Sequence, residues 1–252
     1  MLMDVSGVRR RTQGGGDDEM TRYEACYPKH TWEIVKEDVS GFKKDMKEIC
    51  DKAKAKGAET AKLIEAKKVA VDERVTLKCA IPPCECYGKC LMDPPFSPRA
   101  EETRKVVSKY KYAILTDVSA PLPKEYWDII QTEDLSLCRL QYTNEAMEFE
   151  RMTQMPLWFK LHDIVMTVER EAHNRGYFFA TGYVASTCYL CYDPSKHTNY
   201  CDTSGVCKHP YEARPSMEAS GIDVFSTYRN VGMKLKMASL EKLTWSGLVL
   251  IV

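Results

Sequence analysis

The chain is predicted to fold as an α/β or α+β domain in which a mixed sheet is flanked by helices. Segments with helical periodicity alternate with short apolar runs typical of strands, and Gly or Pro residues separate them. At 252 residues the chain is long enough to bury an ordinary hydrophobic core that needs no disulfide bonds to stabilise it. Two cysteine-rich loops, 79–95 and 188–210, are expected at strand ends and are predicted to bind metal.

The N-terminal residues 1–22 are polar and rich in Gly, so they are expected to form a mobile tail. Residues 23–252 are expected to form a single metal-binding domain. Apolar residues at helical spacing predict a helix over residues 39–56. Ser40 is its predicted N-cap, and Gly57 is predicted to end it.

The next elements are expected to alternate between strand and helix. "TAKLI" and "ERVTLKC" are predicted to be short strands around a turn, and the second leads Cys79 into the first loop. "SPRAEETRKVVSKYK" predicts a helix with Ser97 as N-cap and Pro98 in its first turn. The run "YAILT" predicts the strand that follows this helix.

The helical periodicity of residues 143–175 is interrupted by Pro156, which predicts two helices, the second over Leu157–Asn174. "YFFATGYVA" is predicted to be the strand that leads into the second loop. "PSMEAS" predicts a short helix between an N-cap at Ser216 and a C-cap at Gly221. The apolar end "GLVLIV" predicts a closing strand.

Charge gives no indication of a polyanionic partner, because 36 basic residues balance 36 acidic ones. A nucleic-acid partner is therefore not expected.

The sequence shows no targeting or membrane-spanning segment. The basic N-terminal stretch lacks a following apolar run, so no signal peptide is predicted, and "GLVLIV" is too short to span a bilayer. A cytoplasmic location is expected, where thiols stay reduced and clustered cysteines more often bind metal than form disulfides.

The second loop holds four cysteines within twenty residues: Cys188, Cys191, Cys201 and Cys207. A Cys-x2-Cys pair places two thiolates on one turn, which suits zinc or an iron–sulfur cluster. Zinc sites usually repeat a close pair or add a His pair, so the irregular spacing favours an iron–sulfur cluster, with zinc as the alternative. His197 and His209 are interpreted as solvent-facing or supporting residues, because four thiolates already complete a site.

The first loop also holds four cysteines, within twelve residues: Cys79, Cys84, Cys86 and Cys90. Pro82, Pro83 and Gly88 supply the sharp bends that wrapping an ion requires. This density predicts a second metal ion or cluster. The alternative is that only two of these cysteines bind metal, as part of another site, while Cys86 and Cys90 remain free.

Arg214 and Ser216 follow the last thiol and are candidates for binding an anion or substrate beside the cluster. The competing interpretation is a capping serine and an arginine that fastens the loop. The motifs of P-loop, dinucleotide-binding, α/β-hydrolase and HExxH enzymes do not occur in the sequence. Whether the protein is an enzyme is therefore left open by the motifs.

Several motifs together carry a family resemblance: "KCAIPPCECYG", "DPPFSP", "GYFFATGY", "CYLC", "CKHPYEARPSMEASGIDVF" and "GLVLI". With them the chain resembles a domain-of-unknown-function family of predicted metal-binding proteins from anaerobic bacteria and archaea, over about Val39–Val252. Cys79 and Cys84 fall on the family's first cysteine pair, and the four cysteines of the second loop on its later set. The family tends to have Cys-Pro-Pro where this chain has Asp93-Pro94-Pro95, so either Cys90 replaces that ligand or the first site is altered.

The resemblance implies cysteine-ligated metal, with one or two [4Fe–4S] clusters expected and zinc as the alternative. The leading functional hypothesis is a non-catalytic iron–sulfur subunit that transfers electrons to redox proteins or enzyme subunits in an anaerobic assembly. A second hypothesis is a reductase or activase with substrate near Arg214. A third is a zinc-stabilised interaction module.

Overall fold

A computed structural model of the chain describes residues 39–121, 150–193, 198–199, 201–235 and 242–252. The predicted N-terminal tail and His197 lie outside these residues. The described helices are α1 (Val39–Ala55), α2 (Glu73–Ala80), α3 (Ala100–Val107), α4 (Met155–His173) and α5 (Val224–Asn230). The described strands are β1 (Thr60–Glu65), β2 (Tyr112–Pro121), β3 (Thr181–Tyr183), β4 (Tyr192–Asp193), β5 (Thr198–Asn199) and β6 (Lys242–Leu250).

The main sheet has the strand order β1-β2-β6-β3, and its three pairings are antiparallel. The α+β alternative is therefore confirmed, although the sheet is not mixed. Helices α1 and α4 cover one face through residues such as Ile49 and Ile164, whereas α3 and α5 cover the other through Val107 and Tyr228. Because helices cover both faces of the sheet, consecutive residues in the central part of β2 are buried, instead of buried and exposed residues alternating along the strand.

The structure corrects two predictions at the first cysteine loop. "ERVTLKC" is the surface helix α2, not a strand, so this loop follows a helix end. Asp72 caps α2 by accepting a hydrogen bond from Arg74 N at 2.8 Å, and Glu73 favours the helix start. No residue of α2 is buried, and the alternation of Val75, Leu77 and Cys79 therefore does not reflect a buried strand face.

Two predicted caps also differ. Ser97 lies outside α3, whose N-cap is Arg99, and the Ser97 hydroxyl instead donates a buried hydrogen bond to Ala219 O at 2.8 Å. Ser40 already lies within α1. Gly57, which follows α1, has a φ of 95°, a conformation that favours glycine and agrees with the predicted helix end.

Helix α4 begins two residues before its predicted start, at Met155, and Pro156 lies in its first turn. A single turn of π-helix, Glu150–Gln154, precedes it. Proline is compatible with a first helical turn because the N–H that it lacks would have no intrahelical partner there. The described part of the chain contains no helix that is both long and apolar enough to cross a membrane.

Gly182 on β3 allows α4 to pack closely on the sheet. A Cβ atom at this position would lie 2.5 Å from Val165 Cγ1 and 3.0 Å from Glu169 Oε2. We expect Gly182→Ala to lower the free energy of unfolding by about 1–3 kcal/mol through overpacking. The measurement is denaturant unfolding of the single variants and of Gly182→Ala with Val165→Ala. The double variant should lose less than the sum of the two single losses, and strictly additive losses would contradict this packing.

Candidate metal centre

The second cysteine loop is positioned by β3 and by the segment that follows the last cysteine. Val184, directly after β3, accepts a hydrogen bond from Met217 N at 2.9 Å, and its own N–H donates to Pro215 O at 3.0 Å. Both ends of the loop are therefore fixed beside the sheet. Tyr189 stacks on Trp158 of α4 with ring centroids 4.8 Å apart, so the beginning of the loop also packs against this helix.

The first cysteine loop is a succession of hydrogen-bonded turns. Cys84 N donates to Cys79 O at 2.8 Å, and Asp93 N donates to Cys90 O at 3.0 Å. Gly88 N donates to Pro94 O at 2.9 Å, and its φ of 72° is one that glycine adopts without strain. These hydrogen bonds fix the course of the loop backbone.

Five thiols from both loops line one cavity: Cys90, Cys188, Cys191, Cys201 and Cys207. The other walls are formed by Leu91, Met92, Leu190, His209 and Ala213. With its opening to solvent, this five-thiol cavity measures about 240 Å³. The structure thus brings together the four predicted ligands of the second loop and adds Cys90, which the sequence assigns to the first site.

Backbone N–H groups point at the sulfur atoms of this cavity. Leu91 N lies 3.4 Å from Cys201 Sγ, and Met92 N lies 3.4 Å from Cys90 Sγ. His209 N lies 3.3 Å from Cys207 Sγ. Hydrogen bonds of this kind stabilise the negative charge of thiolate ligands, so the donors around the cavity suit a cysteine-ligated metal.

Cys90 is the most buried thiol of the cavity, with 2% of its surface exposed. Its Sγ lies 4.0 Å from Cys188 O, and a hydrogen bond with the Cys188 side chain raises the pKa of the Cys90 thiol. The same bond lowers the pKa of Cys188. The two loops therefore meet at this pair of thiols.

The remaining thiols of the first loop lie apart from the cavity. Cys79 and Cys84 share a hydrogen bond, and burial raises the pKa of Cys79 to about 11. Burial also raises the pKa of Cys86 to about 12, and its thiol contacts the Thr187 hydroxyl. The eight loop cysteines thus form a group of five and a group of three, where the sequence predicts two groups of four.

Asp93 lies between the two thiol groups. It accepts a short hydrogen bond from Thr187 Oγ1 and interacts with the Cys90 thiol, and burial raises its pKa to about 6. Neither Asp93 nor Thr187 is recognisable as a site residue from sequence spacing.

Arg214 is engaged by a buried carboxylate rather than left free for an anion. Its Nε donates to Glu169 Oε2 at 2.9 Å, and its Nη2 donates to Glu169 Oε1. Its Nη1 donates to Ala213 O at 2.7 Å. The geometry agrees with an arginine that fastens the loop to α4. Glu169 has no distinguishing sequence signal, because a single Glu in a long helix usually faces solvent.

Ser216 and His209 make contacts within the same segment. The Ser216 hydroxyl accepts a hydrogen bond from Ala219 N at 3.0 Å, which is the contact expected of a capping serine. The N-cap of the short 3-10 helix Glu218–Ser220 is nevertheless Met217, and Gly221 ends it with a φ of 77°. His209 Nδ1 lies 3.6 Å from Glu212 Oε2, so the ring at the cavity wall also faces a carboxylate.

Among the described residues, no three His, Cys, Asp or Glu side chains are already arranged as a group that could hold a metal ion. The donor set fits a sulfur-ligated group, because it supplies more than the four thiolates that either zinc or a [4Fe–4S] cluster takes.

Comparison with known proteins agrees with this chemistry. A family model described as a predicted metal-binding protein, DUF2284, matches residues 62–251. The match includes both cysteine loops and the whole of the main sheet except Thr60 and Ala61 of β1. Searches of curated proteins and of solved structures gave no match. The chain therefore belongs to the DUF2284 family of predicted metal-binding proteins.

Proposed function

We propose that the protein holds an iron–sulfur cluster in the five-thiol cavity and serves as an electron-transferring subunit of a larger redox assembly in the cytoplasm. The observation that carries this proposal is the convergence of five thiols from two loops on one cavity. A [4Fe–4S] cluster takes four thiolates, so every iron can be ligated by cysteine. When bound, the cluster would supply a one-electron redox centre.

The proposed ligands are Cys188, Cys191, Cys201 and Cys207. Cys90 is proposed to form part of the cavity wall and not to be a ligand. The Asp93 carboxylate interacts with the Cys90 thiol, and this negative charge disfavours the thiolate form of Cys90 that a ligand would need. The N–H groups of Leu91 and His209 donate to the Cys201 and Cys207 sulfurs, as backbone N–H groups do to the sulfur ligands of bound metal centres.

Replacing Cys90 alone tests this ligand assignment. Cys90→Ser should keep the iron content of the wild-type protein, because four thiols remain around the cavity. Cys201→Ser should lower the iron content, because it removes a proposed ligand. The measurement is iron and labile sulfide per chain after anaerobic purification. Loss of iron from Cys90→Ser would show that Cys90 is a ligand and would refute the proposed set.

Zinc is the competing occupant, since four thiolates also form a structural zinc site. Only an iron–sulfur cluster is redox-active, because Zn²⁺ has no accessible redox change. The anaerobically purified protein should therefore be coloured, should bleach on reduction with dithionite, and should recover its absorption on mild reoxidation. A colourless protein that contains zinc and no iron would contradict the proposal and favour a zinc-stabilised interaction module.

A second cavity favours a reductase or activase as the alternative function. It measures about 330 Å³ with its opening to solvent, and it shares Cys188 and Leu190 with the five-thiol cavity. Trp158, Phe159 and Arg214 are among its other lining residues. A substrate bound there would lie beside the proposed cluster.

The two functions differ in whether one iron keeps an exchangeable position. An electron carrier with four cysteine ligands should give the same EPR spectrum in its reduced state with and without added cyanide. A reductase with an open position should bind cyanide and change that spectrum. A cyanide-dependent change would therefore support the alternative over electron transfer.

Partner docking is proposed at the exposed part of the second loop. Val206 and Tyr211 flank Cys207 in sequence and are 86% and 87% exposed. Exposed apolar side chains beside a redox centre suit a transient protein contact. The redox protein or enzyme subunit that docks there would receive electrons close to Cys207.

A further inference from the structure

Two cysteines at the start of the first loop, Cys79 and Cys84, lie side by side across a tight reversal of the chain. Cys79 belongs to the last turn of α2, and Cys84 N donates a hydrogen bond to Cys79 O at 2.8 Å. Between them, Ala80 and Pro83 form an antiparallel bridge. The backbone therefore turns back on itself within four residues and brings the two cysteines together.

The same hydrogen bond limits how far apart the two residues can lie. With standard bond lengths, a contact of 2.8 Å between the Cys84 nitrogen and the Cys79 oxygen keeps the two Cα atoms within about 6.7 Å. Cα atoms that a disulfide joins lie about 4.4–6.8 Å apart. The two thiols also share a hydrogen bond, so the side chains extend toward each other. A disulfide can thus close here with little movement of the backbone.

We propose that Cys79 and Cys84 form a reversible dithiol–disulfide pair that exchanges with low-molecular-weight disulfides. The thiolate of one cysteine attacks a sulfur of the small disulfide, and one small thiol leaves. The second cysteine then attacks the mixed disulfide and releases the other small thiol. The protein loses two electrons and two protons, and the small disulfide gains both.

The turn between the two cysteines is open to solvent. Residues 81–83 are exposed, and both thiols are partly exposed. Helix α2, which carries Cys79, contains no buried residue. A small disulfide can therefore approach this pair from solvent, and exposure of this kind is what thiol–disulfide exchange requires.

Cys86 is expected to stay outside the pair. Its carbonyl accepts a hydrogen bond from Lys89 N at 3.1 Å, so Cys86 begins the next turn of the loop, and its thiol contacts the Thr187 hydroxyl. The pair also uses none of the thiols that line the five-thiol cavity. The inference therefore goes beyond the proposed electron transfer and does not depend on what the cavity binds.

The test uses the full-length protein, purified anaerobically and equilibrated with different ratios of oxidised to reduced glutathione. Burial raises the pKa of Cys79 to about 11, so exchange at neutral pH is slow, and each sample is followed until its composition is constant. Free thiols are then alkylated in denaturant, and trypsin releases residues 79–89 as one peptide with three cysteines. Mass spectrometry should find three alkyl groups in reducing buffers and one, on Cys86, in oxidising buffers. Dithiothreitol should restore all three.

Two single variants serve as controls. Cys84→Ser cannot close the disulfide, so Cys79 should instead retain one glutathione as a mixed disulfide that dithiothreitol removes. Cys86→Ser should close the disulfide at the same glutathione ratio as the wild-type protein. Iron and labile sulfide are measured in the same samples, so the state of the cluster is known separately from the state of the pair.

Three alkylated cysteines in every buffer would overturn the inference, as would a disulfide that includes Cys86. Closure that begins only after a chelator has removed bound metal would also overturn it, because the two thiols would then be metal ligands in the folded protein. Reversible closure between Cys79 and Cys84 in a protein without iron would leave the pair standing and refute the proposed cluster.

Discussion

Joint replacement of Cys201 and Cys207 by serine is expected to remove the iron of the anaerobically purified protein almost completely. The variant retains only three thiols at the cavity, Cys90, Cys188 and Cys191, which is fewer than the four that a [4Fe–4S] cluster takes. The expected loss does not depend on which four of the five thiols bind. Iron and labile sulfide should fall from about four each per chain to well below one.

The matched control is the double variant Cys79→Ser and Cys84→Ser, which also removes two loop thiols but leaves all five at the cavity. Its iron content should equal that of the wild-type protein. Far-UV circular dichroism should show helix and sheet in both variants, because the hydrophobic cores contain none of these four cysteines. Full iron in the Cys201 and Cys207 variant would refute the proposed location of the cluster.

Loss of the buried pair between Glu169 and Arg214 is expected to have the largest effect on stability. The side chains are 4% and 16% exposed, and the Glu169 carboxylate also accepts a hydrogen bond from Gly182 N at 2.7 Å. Glu169→Ala leaves the guanidinium without its buried partner, which should lower the free energy of unfolding by about 3–5 kcal/mol. Arg214→Ala should cost a similar amount, measured as the shift of the denaturant midpoint at fixed metal content.

Glu101→Ala is the control for this prediction, because its salt bridge to Lys105 joins two exposed side chains of α3. Such a solvent-exposed pair contributes little to the free energy of unfolding, so Glu101→Ala should leave it nearly unchanged. Glu169→Ala combined with Arg214→Ala should cost less than the sum of the single changes, since no unpaired buried charge remains. An effect of Glu169→Ala as small as that of the control would contradict the role assigned to the pair.

Much of the fold is predictable from local pattern. Helix α1, the strand containing "YAILT", the closing strand and the Gly221 cap follow from periodicity and turn chemistry. The exception is α2, an eight-residue surface helix with no buried residue, because so short a run of apolar residues does not distinguish a helix from a strand. The local sequence signal for this helix is the N-cap residue Asp72 followed by Glu73 in the first turn.

The candidate site was predictable in its residue types but not in its grouping. Cysteine spacing identifies two loops, yet spacing along the chain cannot show that Cys90, unlike Cys86, lines the cavity that Cys188 and Cys201 also line. That division depends on the turns around Gly88 and on Asp93, and therefore on tertiary contacts. The ion-pair partner of Arg214 could not be predicted either, because Glu169 lies forty-five residues away in sequence and only the tertiary fold brings the two side chains together.

The most direct test of the central claim is anomalous diffraction from a crystal of the full-length protein grown anaerobically, with data collected on both sides of the iron absorption edge. The five-thiol cavity is predicted to contain a strong iron peak within bonding distance of Cys188, Cys191, Cys201 and Cys207. An iron peak elsewhere, or a cavity that holds only zinc, would contradict the account.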